Sequence, residues 1–293
     1  MVSPAVQVVA VPIGEQARNA NAAATAGNPL PKLACQAASA RGYHGLEMRA
    51  ELIEAEERLE AEYWWFVGRR AILDRLLRHF VKRSRVAVDV GCGSGRNLEV
   101  LARHADRVLG TDRSATAVRL TASRHFPALL ADGNSLPLAD SSADLLTALD
   151  VLEHMEDDIH ALLEFRRVLR PGGRLLLAVP AYRFLWSEHD EALQHRRRYL
   201  ASELHIKLTN TGFEVEKRSY AVFFAFFPIV LYRLARGLFP KDPMAPKASH
   251  VMLPRLLNTF FAKLLSLEGR LMRVINFPLG ASIVMVARKV GEK

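Results

Sequence analysis

Glycines and acidic residues that follow short apolar runs are the residues of this chain whose types and spacing could do chemistry. Residues 86–95, VAVDVGCGSG, have the pattern of a strand ending at Asp89, a turn with Gly91, Gly93 and Gly95 at alternate positions, and a helix start. Glycine permits positive φ and close approach of a ligand to the main chain, and a helix start directs free N–H groups at that ligand. The stretch therefore predicts a nucleotide-binding turn.

Further acids stand where later apolar runs end. Asp112 follows residues 107–111, Asp132 follows residues 128–131, and Asp150 follows residues 143–149. In a parallel α/β sheet the carboxyl ends of the strands carry the ligand, and a carboxylate after the second strand can accept two hydrogen bonds from a ribose diol. We expect these acids to meet at one edge of a sheet.

Three histidines could act as a general base on a hydroxyl or amine. His154 follows the fourth predicted strand, and His189 and His195 lie in the segment after the fifth. An imidazole near its ordinary pKa can accept a proton at neutral pH. For His154 a structural hydrogen bond at a helix end explains the residue equally well. No metal site is predicted.

Arg196, Arg198 and Tyr199 follow in the same loop. Guanidinium groups bind phosphate and carboxylate in two-pronged geometry, so an anionic acceptor is one interpretation and a solvated charged surface is the other. A second candidate substrate surface lies upstream, where Trp64, Trp65 and Arg69 occur in one dense aromatic and basic block. That block predicts either a lid over a ligand or a packing contact between helices.

The elements that position these residues alternate between strand and helix patterns, which predicts βαβ units and a parallel sheet. The Pro171–Gly173 triplet predicts a stop before the fifth strand. The predicted strands are 86–89, 107–111, 128–131, 143–149, 174–179, 213–220 and 281–288, and the helices between them are 97–104, 115–124, 160–169 and 201–210.

The chain divides into five predicted regions. They are a disordered tail at 1–47, with Met48 as a possible start of the ordered chain, a helical lid at 48–84, a core at 85–220, an insertion at 221–280, and a last strand with a tail at 281–293. The insertion combines apolar faces with basic residues and is interrupted by Pro228. Its apolar run is too short to span a bilayer, so it predicts a lid, a membrane-surface contact or a subunit interface.

Composition limits the possible partners. The chain has 293 residues, a net charge of +9 and a pI near 9.8, which favours an anionic partner or surface. Two cysteines cannot form a disulfide framework, which favours a reducing compartment. Aromatic residues do not alternate with the basic runs, so no nucleic-acid partner is expected. The expected location is cytoplasmic, with peripheral contact to the inner face of the membrane, and the oligomeric state is open.

The order and spacing of these motifs resemble those of the class I S-adenosylmethionine-dependent methyltransferases over about residues 85–215. The segments that carry the resemblance are DVGCGSG at 89–95, Asp112, Asp132 before LPL at 136–138, Asp144 leading to VLEH at 151–154, and VLRPGG at 168–173. VLEH and RPGG are similar to small-molecule enzymes such as the ubiquinone-biosynthesis O-methyltransferases. The resemblance implies a Rossmann-like, seven-stranded, mostly parallel sheet with helices on both faces, an antiparallel final strand and a helical insertion before it.

The resemblance also implies roles for individual residues. S-adenosyl-L-methionine is the implied cofactor, its sulfonium is cationic, and carboxylates and carbonyls suit its pocket. The positions implied to bind it are Asp89, Gly91, Cys92, Gly93, Gly95, Asp112, Arg113, Asp132, Gly133, Leu149 and Asp150. The implied activity is methyl transfer to a small-molecule or lipid-linked acceptor, with oxygen favoured as the acceptor atom.

Two alternatives stay open. An RNA or protein methyltransferase is supported by the positive charge alone. An NAD-dependent oxidoreductase shares the strand, glycine turn and helix, but its fingerprint places a glycine where this chain has Arg96.

Overall fold

The computed structural model describes residue 57 and residues 59–237 and 253–291. The predicted tail at 1–47, most of the region at 48–58 and the middle of the insertion lie outside the described residues. The elements are α1 (Trp64–Phe80), β1 (Ser84–Val90), α2 (Arg96–Leu101), β2 (Ala105–Asp112), α3 (Ala115–Ser123), β3 (Ala128–Leu130), β4 (Ala143–Leu149), α4 (Asp158–Val168), β5 (Leu169–Pro180), α5 (Glu188–Ala192), α6 (Ala201–Asn210), β6 (Phe213–Ala221), α7 (Phe226–Gly237), α8 (Arg255–Leu271) and β7 (Ser282–Lys289), with short 3₁₀ turns at Leu152–His154 and Arg183–Leu185.

The strands form one sheet in the order β3-β2-β1-β4-β5-β7-β6. β1 to β5 pair in parallel, whereas β7 lies between β5 and β6 and is antiparallel to both. This confirms the predicted fold class. Because the chain reverses its strand order beside β1 and β4, the carboxyl ends of these two strands open a crevice in which ligands of such sheets bind.

Both faces of the sheet are covered. Along β5, Leu175 and Leu177 pack with residues of α4 and α6, whereas Leu176 and Ala178 pack with residues of α1, α2 and α8. Side chains alternate between the two faces of a strand, so a continuous apolar run such as that of β5 requires helices on both sides.

The predicted stop at Pro171–Gly173 is wrong in one respect, because β5 already begins at Leu169. The pairing with β4 shifts register between Ala143 and Leu145, so the triplet forms an irregularity within the strand. Gly172 has a φ of +77°, a conformation that glycine adopts without strain, and this lets the chain bend without leaving the sheet.

Within the predicted insertion, α8 covers Arg255–Leu271. It packs along α1 at two glycines, since a Cβ on Gly68 would lie 2.3 Å from Leu265 and a Cβ on Gly269 would lie 3.0 Å from Ile72. The lid region before the core and the insertion after β6 are therefore one packed helical layer. Within residues 59–237 and 253–291, no helix is both long and apolar enough to cross a membrane.

Candidate active site

A cavity of about 650 Å³ opens at the carboxyl ends of β1, β2 and β4 and extends under α1, α7 and α8. Its volume lies within the range of about 300–1,000 Å³ found for small-molecule sites. One side is formed by the glycine turn and the strand-end acids, and another by aromatic and apolar side chains of the helical layer. Polar and apolar parts of a ligand can thus be accommodated in one continuous space.

The glycine turn forms the wall nearest β1. Gly91, Gly93 and Gly95 have φ values of 68°, 54° and 83°, so all three are in the left-handed region predicted from their spacing. A Cβ on Gly93 would find only the Glu60 carboxylate, 3.7 Å away, because this position faces the cavity. At Gly95 a Cβ would lie 2.9 Å from Thr121 Oγ1, so this glycine allows α2 and α3 to approach instead of lining the cavity.

Asp112, at the end of β2, is placed as the sequence predicts. Its two carboxylate oxygens accept hydrogen bonds from the backbone N–H of Gly93 at 3.0 Å and of Ser114 at 2.8 Å. Burial raises its pKa, although these backbone hydrogen bonds oppose that effect. A carboxylate has about four lone-pair sites, so two remain for hydroxyl groups of a ligand.

The other predicted cofactor residues divide into those that line the cavity and those that lie behind it. Asp89 is fully buried, accepts a hydrogen bond from the Thr147 hydroxyl and does not reach the cavity; burial raises its pKa to about 7. The predicted residues that line the cavity are Gly91, Cys92, Gly93, Asp112, Arg113, Asp132, Gly133, Leu149 and Asp150.

Arg69 from α1 forms an ion pair with Asp150, joining the helical layer to the end of β4. Burial alone would lower the pKa of Arg69, but the negative charges of Asp150 and Glu60 outweigh it and raise the pKa. Glu60 also accepts a hydrogen bond from the Ser94 hydroxyl, so its side chain contacts the glycine turn. Carboxylates therefore line this part of the cavity, and the charge of Asp150 is balanced by Arg69.

Aromatic side chains form the cavity wall on the helical side. Trp64 and Trp65 are in edge contact at 5.9 Å between ring centroids, and Trp64 contacts Phe261 of α8 at 5.4 Å. Trp64, Trp65 and Arg69 all line the cavity, and so do Tyr232 and Phe261 from the insertion. The two interpretations of the aromatic block coincide, because its side chains pack between helices and face the ligand space together.

All three predicted histidines line the cavity. His195 Nδ1 lies 2.9 Å from Asp190 Oδ1, and the His154 and His195 rings meet edge to face at 4.8 Å between centroids. Burial, followed by the charges of His195 and Arg113, lowers the pKa of His154 to about 3, so its ring is neutral near pH 7. His189 is the more distant member, 6.4 Å from His195 between ring centroids.

The arginine loop has different roles at neighbouring positions. Arg198 is buried and directs Nε and one terminal nitrogen to the two oxygens of Asp190, at 2.7 and 3.0 Å, and the other to the Ala181 carbonyl. Arg198 lines the cavity, but its guanidinium donors are used to orient Asp190 and are not free for a ligand. Arg196 is about 40% exposed at the cavity edge, with Glu156 4.0 Å away, and keeps donors for a ligand.

The structure places Tyr199 away from the cavity, which corrects its interpretation as a substrate-binding residue. Its side chain is fully buried, and its hydroxyl donates to Asp158 at 2.9 Å. Burial and the neighbouring Asp158 carboxylate raise its pKa. Tyr199 has an extended backbone that forms hydrogen bonds with the backbone of the segment at Ala181 and Tyr182, next to the end of β5. This pairing directs the Tyr199 ring into the core.

Several site residues were not identified by sequence reasoning. Glu60 comes from a region without a motif, and Asp190 lies inside the short helix α5, where its role depends on the fold. Glu153 stands in the VLEH segment itself, but its complete burial has no sequence signal. In the sequence, only the close spacing of acids and histidines in the segments after β4 and β5 pointed to these positions.

Comparison with known proteins identifies a methyltransferase domain at residues 88–177. A probable S-adenosylmethionine-dependent methyltransferase of Mycolicibacterium smegmatis is 33% identical over 162 residues, which is 54% of this chain and 62% of that protein. A tRNA (carboxymethyluridine(34)-5-O)-methyltransferase of Mus musculus is 31% identical over 119 residues, 39% of this chain and 17% of that protein. In both cases the match spans less than two thirds of the relative's length.

Among solved structures, the N-methyltransferase NodS of Bradyrhizobium japonicum, in complex with S-adenosyl-L-homocysteine, superposes with a TM-score of 0.51. The similarity covers 84% of this chain and all of NodS at 14% identity. At this identity the likeness concerns the fold. The NodS structure contains S-adenosyl-L-homocysteine, the product that S-adenosylmethionine leaves after it has given up its methyl group. The glycine turn and strand-end acids of this chain suit the same cofactor.

Proposed function

Because residues 88–177 match a methyltransferase domain, we propose that the protein is a class I, S-adenosylmethionine-dependent enzyme that transfers the methyl group of this cofactor to an oxygen atom of a small, lipid-like acceptor. The observation that carries the proposal is one cavity lined both by the glycine turn with its acids and by apolar side chains of the helical layer. S-adenosylmethionine supplies an activated methyl group on a sulfonium.

The residues on the glycine side fit that cofactor. Asp112 keeps two free acceptor sites for a ribose diol, Gly93 leaves open space beside the turn, and Glu60 provides negative charge beside it. We assign Asp132, which also lines the cavity, to the adenine amino group. The chain's part in the reaction is to align donor and acceptor and to exclude water.

The acceptor side has both a polar and an apolar part. His195, oriented by Asp190, is the polar group we assign to the acceptor hydroxyl. With S-adenosylmethionine bound, the acceptor oxygen would take the methyl group, the sulfonium would leave as a neutral thioether, and His195 would accept the hydroxyl proton. Ile229, Tyr232 and Phe261 provide the apolar surface for the rest of the acceptor.

The test is calorimetry with S-adenosylmethionine and S-adenosylhomocysteine, followed by transfer of a labelled methyl group to lipid and metabolite extracts. We expect binding of both cofactor forms and label in an apolar product. Asp112→Asn should weaken cofactor binding, whereas Asp106→Asn, at the exposed start of the same strand, is the matched control. A wild-type protein that binds neither cofactor form contradicts the proposal.

We also propose that the protein contacts an anionic membrane surface through α7 and α8. Phe227 and Leu231 are 67% and 70% exposed, and Leu256 and Phe260 are 86% and 56% exposed. These side chains belong to the same two helices that line the cavity. Basic residues of α8 and of the segment that follows it are also exposed, namely Arg255, Lys263, Arg270 and Arg273. An apolar face with basic residues is typical of helices that lie in a membrane interface.

Vesicle flotation tests this contact. Wild-type protein should float with vesicles containing anionic phospholipid, and a Phe227→Asp, Leu231→Asp variant should not. Ile206→Asp on α6 is the matched control, because Ile206 is 56% exposed on a helix that does not line the cavity. Equal flotation of the wild type and the double variant would exclude these side chains as the contact.

A tRNA acceptor is the second candidate, and the observations that favour it are the tRNA methyltransferase relative and the net charge of +9. Labelled methyl groups would then appear in total tRNA, in a ribonuclease-sensitive fraction, instead of in the organic extract. The dinucleotide alternative has no support from the comparisons reported above.

A further inference from the structure

Arg233 of α7 brings a positive charge to the cavity beside an apolar surface. Its side chain is 23% exposed and lines the cavity with Ile229 and Tyr232 of the same helix. Residues three and four positions apart are neighbours on one helix face, so Arg233 follows Ile229 by one turn on the face that meets the ligand space. A guanidinium group is always charged in proteins and has only donors. A ligand on this face therefore meets an apolar surface next to a group that binds hydrogen-bond acceptors.

Arg233 lies beside Asp190 but does not form a hydrogen bond with it. The distance from Arg233 Nη1 to Asp190 Oδ2 is 3.6 Å, which is too long. Oδ1 of Asp190 already accepts from His195 and Arg198. Oδ2 accepts from Arg198 and from the backbone N–H and the hydroxyl of Ser187. A carboxylate has about four lone-pair sites, so Asp190 has none left for Arg233.

The Nη1 atom of Arg233 is a buried donor without a partner. It has almost no exposed surface and no hydrogen-bond partner among the described residues. Leaving a buried donor unpaired is unfavourable, and more so when the group is charged. Because Arg233 lines the cavity, an acceptor atom of a ligand placed there can supply the missing hydrogen bond.

The walls formed by the loop between β5 and α6 and by α7 carry positive charge into the cavity. Among the described residues of these two segments no Asp or Glu lines the cavity, whereas three arginines do, namely Arg196, Arg198 and Arg233. Asp190 lies behind the wall, and its charge is matched by Arg198, which binds it through two nitrogen atoms. Glu156, 4.0 Å from Arg196, is 85% exposed, so water screens its charge. The balance on this side of the cavity favours an anion.

We propose that Arg233 binds the oxyanion of an amphiphilic ligand, a carboxylate or phosphate group on an apolar chain that lies along Ile229 and Tyr232. Both groups have paired oxygens that accept the parallel N–H donors of a guanidinium. That this ligand is the methyl acceptor rests on the proposed function, whereas its binding does not.

This site differs from the one that the sequence suggested. An anion was expected at Arg196 and Arg198, but the donors of Arg198 are used by Asp190 and by the Ala181 carbonyl. Arg196 is 39% exposed at the cavity edge, so water competes with a ligand for its donors. We therefore expect Arg233 to contribute more than Arg196 to the binding of the anion.

Four probes separate the two halves of the ligand. n-Decyl phosphate and decanoate carry an oxyanion on an apolar chain, n-decanol lacks the charge, and inorganic phosphate lacks the chain. Calorimetry with the full-length wild-type protein, below the concentrations at which the probes form micelles, should give a Kd below about 1 mM for at least one of the two decyl anions. The tighter of the two identifies the oxyanion. n-Decanol and inorganic phosphate should each bind about tenfold more weakly or worse.

Variants locate the anion. Arg233→Gln should weaken binding of the decyl anion by about tenfold to a hundredfold, as expected for lost hydrogen bonds to a charged group, and leave n-decanol unchanged. Arg196→Gln should have a smaller effect. Arg218→Gln, at an exposed position of β6 outside the cavity, is the matched control and should bind as the wild type does. If circular dichroism shows that Arg233→Gln does not fold, Arg233→Met, with an apolar side chain of similar length, replaces it in the test.

The inference is wrong if neither decyl anion binds the wild type, if n-decanol binds as tightly, or if a folded Arg233 variant keeps wild-type affinity. It is equally wrong if Arg196→Gln or Arg270→Gln loses as much affinity as Arg233→Gln, because the anion would then lie at the cavity edge or on the exposed surface of α8. Inorganic phosphate that binds as tightly as n-decyl phosphate would contradict the apolar half of the ligand.

Parallel titration with S-adenosylhomocysteine separates this inference from the proposed function. Cofactor binding without binding of a decyl anion refutes the oxyanion site alone. Binding of a decyl anion without cofactor binding refutes the proposed function alone.

Discussion

Replacement of Gly93 by alanine separates the effect of backbone strain from the effect of a methyl group placed in the ligand space. Gly93 has a φ of +54°, lines the cavity and has open space where a Cβ would stand. Gly172 has a φ of +77° and no atom within 4 Å of an added Cβ, but it lies in the irregularity of β5, away from the cavity. An alanine would therefore be strained at both positions, but only at Gly93 would its methyl group stand in the ligand space.

The expected magnitudes follow from this comparison. An alanine at positive φ costs about 1 kcal/mol, so each variant should lose roughly 2–4 °C in melting temperature. At Gly93 the new methyl group also meets a ligand seated on the turn, and such overpacking costs about 1–3 kcal/mol. Since 1.4 kcal/mol corresponds to a tenfold change, affinity for S-adenosylhomocysteine should fall by about tenfold to a hundredfold in Gly93→Ala.

Calorimetry with S-adenosylhomocysteine and thermal unfolding of both variants provide the measurement. Gly172→Ala should bind as the wild type does while melting about as early as Gly93→Ala. Wild-type affinity in a folded Gly93→Ala protein would show that the ligand does not approach the main chain at this glycine. Equal losses of affinity in both variants would attribute the effect to strain, and the reasoning from the open Cβ position would fail.

Three further changes test other parts of the fold and site. Burial raises the pKa of Glu268 to about 7 although two backbone N–H groups of the turn after β6 bind it, so its folded state holds a proton more tightly than the unfolded chain. The contribution of this group to the free energy of unfolding is complete below about pH 4.5 and is lost as the pH rises to about 7, by up to roughly 3 kcal/mol. Glu268→Gln should flatten this decline when the free energy of unfolding is measured by chemical denaturation from pH 5 to 8. Gly68→Ala should destabilise the fold by about 1–3 kcal/mol in urea, because the new Cβ would overlap Leu265 of α8; an unchanged midpoint would contradict the close packing of the two helices. Tyr199→Phe should cost about 1 kcal/mol by removing the hydrogen bond to Asp158 and leave the KM for acceptor unchanged, whereas a raised KM without loss of stability would restore Tyr199 as a substrate residue.

The positions of the core strands along the chain could be predicted because their signals are local. The central strands β1 and β4 are buried along most of their length and contain apolar runs, and a glycine follows β1 whereas an acid follows β4. Asp112 and Asp150 were placed correctly at the cavity for this reason. The start of β5 was not predicted, because a glycine such as Gly172 is compatible both with the end of a strand and with a bend inside one. Only the pairing with β4 distinguishes the two.

The remaining site residues depend on contacts between distant segments. Arg198 and Tyr199 are adjacent in sequence, yet one orients Asp190 beside the cavity and the other is buried against Asp158. A charge run has no period that distinguishes these positions. Glu153 is a further example, because its complete burial has no counterpart in the residue types beside it in the sequence.

The position of β7 between β5 and β6 has a consequence for how the molecule is made. Its pairs with β5, from Pro180 with Ser282 to Arg174 with Arg288, join residues more than 100 positions apart. During synthesis β5 therefore emerges long before its neighbour and waits with one edge unpaired, while β6 has no strand to join at all. Unpaired edges are templates for aggregation, and closing so long a loop is slow. We expect the nascent chain to depend on chaperones until residue 289 has left the ribosome, and single codon changes in β7 to reduce yield more than equal changes in β3.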